Sequence, residues 1–153
     1  MEESDRYVQS RRILWVGALT VAVAILAVLA DREIAVRVIH PDPSFLPLTM
    51  GPPIVDTFIC TVVAIIVFVR IVFYPNEVRT WRRIAAAVLL VSLLPDVWLA
   101  ASHDMGGGWR EAGALMTMHV VVWAICVTLL PALAIAKPPR QSRAAPDRPL
   151  SIL

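Results

Sequence analysis

The sequence predicts an all-α protein, a transmembrane four-helix bundle with N and C termini cytoplasmic. Three observations predict it. Four long apolar runs, at 13–30, 54–74, 84–101 and 112–136, take up most of the 153 residues. Each is long enough for a helix rising ~1.5 Å per residue to cross a ~30 Å hydrocarbon layer. Apolar residues make up 58% of the chain, against ~45–50% in an ordinary soluble domain. The basic residues are also segregated. Eleven of the fourteen Lys and Arg flank the runs on one side, and only Arg32, Arg37 and Arg110 lie on the other. The positive-inside rule then puts both termini in the cytoplasm. An even number of crossings independently requires the termini to share a side.

In chain order, residues 1–12 form a cytoplasmic leader. The first run exceeds the ~7–15 residues of a signal-peptide core, and Glu2, Glu3 and Asp5 precede it, so a retained helix is expected. The outer connection from Asp31 to Pro53 is the longest. Its prolines, Pro41, Pro43, Pro47, Pro52 and Pro53, exclude a regular helix through most of it. Alternation at Ile34, Val36 and Val38 hints at a short extended or interfacial piece. The second run ends with Arg70 and Tyr74; four residues apart, they let the Arg70 stem reach the inner headgroups. Arg79, Arg82 and Arg83 fill the inner connection. Trp15, Tyr74 and Trp81 fall at the inner interface, and Trp98 and Trp109 at the outer one. Pro95 interrupts the third run and leaves the carbonyl of Val91 without its helical donor. The connection from Ser102 to Glu111 carries Gly106, Gly107 and Gly108 and reads as mobile. Pro131 sits inside the fourth run. Residues 137–153, rich in Pro, Arg and Ser, read as a disordered basic tail suited to anionic lipid.

This leaves one membrane domain, 13–136, and no room for a separate soluble one. A formal net charge of +2, spread over helix ends, excludes a nucleic-acid partner. Cys60 and Cys126 lie inside apolar runs and read as small buried hydrophobes rather than a disulfide. No G-x-S-x-G, H-E-x-x-H or phosphate-cradling glycine loop is present, so no enzymatic activity is expected. No cofactor is expected either; a bis-His haem needs a second histidine at membrane depth. His40, His103, Met50, Met105, Met116, Met118 and His119 fall outside or in the outer half, a mix that suits a soft metal, but without diagnostic spacing.

The remaining candidates are polar residues within the runs. An ionisable side chain at membrane depth costs about 2.5–3.5 kcal/mol on translocon scales. Asp56, Asp96 and His119 therefore stand out. Asp96 and His119 lie roughly 8 and 10 Å from the outer ends of their runs at helical rise, so a contact between them is geometrically allowed. Ser92, Asp96 and His103 share one helix face, as do His119, Trp123 and Cys126, with Met116 one turn earlier. Such a pair could fasten two helices, at about 0.6 kcal/mol, or carry a proton or cation, since histidine titrates near neutrality. Asp56, following Gly51, Pro52 and Pro53, reads as a first-turn carboxylate stabilised by free backbone N–H groups.

Three short motifs carry a resemblance: Pro47-Leu-Thr-Met-Gly-Pro52, Leu90-Val-Ser-Leu-Leu-Pro95 and Ala114-Leu-Met-Thr-Met-His119-Val-Val. Over Leu46 to Ala136 the chain resembles small four-helix bacterial integral membrane proteins grouped as a domain of unknown function. The positions matching that pattern are Thr49, Gly51, Pro52, Ser92, Pro95 and His119. The resemblance implies the fold and topology, and no activity.

The expected function is that of a non-enzymatic protein of the cell membrane, in contact with the lipid bilayer. It would serve as an accessory or structural component of a membrane assembly, with a second copy or another membrane protein as partner. The alternatives are a small oligomeric transporter or proton-coupled permeation unit using Asp96, His119 and Ser92, and a redox or soft-metal-handling protein. An interaction role calls for a lipid-facing stripe of small residues, which Gly17, Ala18 and Ala22 supply in weak form.

Overall fold

Proline and glycine placement sets where the helices stop. The computed structural model describes residues 2–43, 45–72, 76–102 and 107–134, with side chains of the first helix from Leu14 onward. Helix α1 spans Glu2–Ile39, 38 residues, longer than the apolar run at both ends. The expected leader is helical from Glu2. The stretch holding Ile34, Val36 and Val38, expected as a short extended or interfacial piece, is helical and not extended. No Gly or Pro falls between Gly17 and Pro41, and Glu33 and Arg37 form an i,i+4 ion pair at 2.9 Å. The stop comes at His40, whose φ of 52° is left-handed and whose N–H closes the last turn on the Val36 carbonyl at 3.0 Å. Pro41 then cannot extend the helix.

A 3-10 turn, Leu46–Leu48, leads into α2, Gly51–Ile71, where Pro52 and Pro53 sit in the first turn because their missing N–H groups have no helical acceptor there. Helix α3, Glu77–Ser92, is followed after Leu93 by α4, Leu94–Ser102, so the third run is two helices. The break is the one expected from Pro95, but the Val91 carbonyl is not left bare. The Leu93 N–H is shared between the carbonyls of Leu89 and Val91. Helix α5, Trp109–Ala134, continues through Pro131. Its start is capped by Glu111, which accepts the Gly108 N–H at 2.9 Å. Phe73, Tyr74, Pro75, residues 103–106 and the expected disordered tail, 137–153, lie outside the described residues.

Four helical segments are long and apolar enough to cross a membrane: Leu14–Ile39, Gly51–Ile71, Glu77–Ser102 and Trp109–Ala134. The most enclosed of them bury only 28% of their apolar window. Their outward faces carry Leu19, Leu26, Phe58, Ile59, Ile66, Val88, Leu94 and Trp98, all exposed. That is the reverse of a water-soluble bundle. Helix α5 is the central column and packs on α1, α2, α3 and α4.

Two apolar clusters hold the bundle at opposite ends. At the end where α2 stops and α3 begins, Val16, Phe68, Ile71, Trp81, Ala85, Cys126, Val127 and Leu130 pack together. Trp81, expected at the headgroup level, instead turns inward, 2% exposed, and meets Phe68 edge-on at 5.3 Å and 74°. At the other end, Val28, Ala35, Ala114 and Met118 surround Phe45 and Leu48 from the loop after α1. That loop folds back as a plug, and Arg32 Nε donates to the Leu48 carbonyl at 2.8 Å. Gly17 is buried, and a Cβ there would lie 3.4 Å from Ile65. It serves the α1–α2 contact, so the small-residue stripe expected on the lipid face is not there in that form. Ala18 and Ala22 remain exposed.

Candidate functional site

Asp96 and His119 meet. Asp96 lies in the first turn of α4, just past the break, and is turned into the bundle. His119 reaches it from α5, with Nδ1 3.4 Å from Asp96 Oδ2 and side-chain exposures of 35% and 8% for His119 and Asp96. The same Nδ1 lies 2.9 Å from the Leu115 carbonyl. A carbonyl oxygen only accepts, so Nδ1 must carry the proton there. The neutral ring then has its lone pair on Nε2.

This contact is a poor fastener. The short bond belongs to Leu115, and the buried Asp96 Oδ2 makes no hydrogen bond; the His119 edge is its polar neighbour at 3.4 Å. The arrangement holds the Asp96 carboxyl beside an imidazole whose Nδ1 is turned to the Leu115 carbonyl, so the two side chains are only loosely joined.

The other candidates stand apart. The Ser92 hydroxyl donates to the Leu89 carbonyl at 2.8 Å, which occupies it at the end of α3 and leaves it out of the pair. Asp56 is the sixth residue of α2 rather than a first-turn residue, because the helix starts at Gly51; it is exposed and takes no part in the contact. His103, placed on the same face as Asp96, lies outside the described residues.

Metal donors do not converge. Among the described residues, no three His, Cys, Asp or Glu side chains gather. His40 ends α1, Met50 is exposed, and Met118 is packed into the plug cluster. Met105 lies outside the described residues. Both cysteines are free; Cys126 is buried, but Cys60 is exposed, against expectation, on the outward face of α2.

Several polar residues matter that run-by-run reading passes over. The Thr117 hydroxyl of α5 is shared between the Ala114 carbonyl at 2.8 Å and Asp31 Oδ2 of α1 at 3.0 Å. Thr20, wholly buried, donates to the Val16 carbonyl at 2.7 Å. Thr61 is 0% exposed, and the polar group beside its Oγ1 is the Cys126 thiol, a weak hydrogen-bond partner. Period-3.6 placement of threonine is the available signal: Thr57 and Thr61, four apart, mark the inward face of α2. A buried hydroxyl with so weak a partner costs stability, so Thr61→Val is expected to raise stability by about 1 kcal/mol. Thermal unfolding in detergent would register it as a higher midpoint.

No family model, no curated protein and no solved structure matches the chain. The resemblance to small four-helix bacterial membrane proteins rests on the three quoted motifs alone.

Proposed function

We propose that the chain is a multi-pass protein of the cell membrane, with both termini cytoplasmic, that works without catalysing a reaction, as an accessory or structural component of a membrane assembly. The observation that carries this reading is the inverted surface: every span presents a long apolar face outward, while the centre is closed by Thr20, Ala24 and Thr61, each inaccessible. Such a bundle offers side surfaces for lipid and for other helices. Extraction with its surrounding lipid, followed by native mass spectrometry, is expected to return the chain in a fixed ratio with a second copy or another integral membrane protein. A lone monomer that conducts protons would overturn the reading.

A second reading, a small oligomeric proton-coupled permeation unit, is favoured by one observation: among the described residues, the buried Asp96 Oδ2 has no hydrogen bond and faces the Nδ1 edge of His119 at 3.4 Å. Proteoliposomes loaded with a pH-sensitive dye separate the two. The accessory reading expects no flux above empty vesicles. The permeation reading expects flux that Asp96→Asn abolishes.

A further inference from the structure

Helix α3 begins with a basic face that no described side chain neutralises. Arg79, Arg82 and Arg83 follow the i, i+3, i+4 spacing that places side chains on one side of a helix, and all three are exposed. The opposite side is fixed, because Trp81 is held against Phe68 and Ala85 is buried in the same cluster. The guanidinium face therefore cannot roll inward. With Asn76, Glu77 and Ala86 these arginines line an open groove of about 680 Å³. Glu77 is its one acidic side chain, so the groove has a net excess of two positive charges. Among the described residues, the ion pairs involve other groups: Arg32 and Arg37 with Glu33, and His119 with Asp96.

The same face changes character one turn on. Ala86 and then Leu90, 68% exposed, continue it at i+3 and i+7 from Arg83. A ligand lying along it would meet guanidinium groups at its head and apolar side chains along its length. A free phosphate would use only the first of these. A guanidinium fork matches phosphate oxygens in pairs, and such grooves at the basic end of a bundle suit acidic headgroups.

We propose that the groove formed by Arg79, Arg82 and Arg83 holds the phosphodiester headgroup of an anionic phospholipid, with an acyl chain along Ala86 and Leu90. The assignment rests on the membrane reading above. The full chain is reconstituted into vesicles of mixed phosphatidylcholine and phosphatidylglycerol and released for native mass spectrometry. Wild type is expected to retain phosphatidylglycerol in preference to phosphatidylcholine. That preference should fall about fivefold for each arginine replaced by glutamine, seen in Arg83→Gln alone and fully in the R79Q/R82Q/R83Q variant. Arg37→Gln, at the opposite end of the bundle, should leave it unchanged. An unchanged preference in the triple variant overturns the site. Equal protection by inorganic phosphate added without lipid overturns the lipid assignment in favour of a soluble anion. A chain that does not enter the vesicles refutes the membrane reading itself, and the headgroup site with it.

Discussion

Phe45→Ala is expected to destabilise the protein by about 3–5 kcal/mol, the range for emptying an aromatic site in a packed core. Phe45 is 1% exposed although it belongs to a loop. It is the centre of a cluster that draws on α1 through Val28 and Ala35 and on α5 through Ala114 and Met118. Leu99 and Leu115 pack against the cluster's edge, and they lie three and four residues from Asp96 and His119, one helical turn towards the plug. Removing the ring therefore loosens the layer directly above the Asp–His contact. Thermal unfolding in detergent should show the loss, and hydrogen exchange should show it first in residues 45–48. Met50→Ala, exposed on the same connection, should change little. A Phe45→Ala protein as stable as wild type would mean that the loop plug contributes nothing to closure.

The second large effect is an asymmetry. His119→Leu is expected to cost about 1–3 kcal/mol, because it leaves the buried Asp96 Oδ2 without a polar neighbour. Asp96→Leu should be nearly neutral or stabilising. It removes a carboxylate that is costly to bury, and His119 keeps its bond to the Leu115 carbonyl. The double variant should follow Asp96→Leu, since it strands nothing. Circular-dichroism melts of the three variants in one detergent test the ordering. If the double variant is much less stable than wild type, the contact is a fastener after all and the proton-coupled reading loses its support. If it is as stable, the pair is retained for something other than stability, and the dye-loaded vesicles become the deciding assay.

Much of this was legible from the chain. The spans follow from apolar run length, and the interruption at Leu93 from Pro95, because both are local and steric. The Asp96–His119 contact was reachable from matched depth, since two ionisable groups at the same level in an apolar bundle have few other partners. What local reading could not reach depends on tertiary packing. The run ends at Ala30 in hydropathy, yet the helix continues to Ile39, because Glu33 and Arg37 pair along it and α5 packs beside it. Trp81 resembles an interfacial anchor until Phe68 is seen to receive it. Phe45 looks like one apolar residue in a proline-rich connection, and Thr61 like a tolerated hydroxyl. Only the closing of α5 against α1 and α2 turns the first into a plug and the second into a buried hydroxyl facing a thiol.

The plug also dictates an order of biosynthesis. Phe45 emerges early from the ribosome, but its partners Ala114 and Met118 are made near the end. The cluster at the other end likewise needs Cys126, Val127 and Leu130. Neither end of the bundle can be sealed until the last helix arrives. Until then the nascent chain is a set of apolar helices with an unseated loop, its exposed apolar surface open to handling by quality-control machinery. A stop codon ahead of Trp109 therefore removes more than one helix; it leaves the earlier ones without the element around which they assemble.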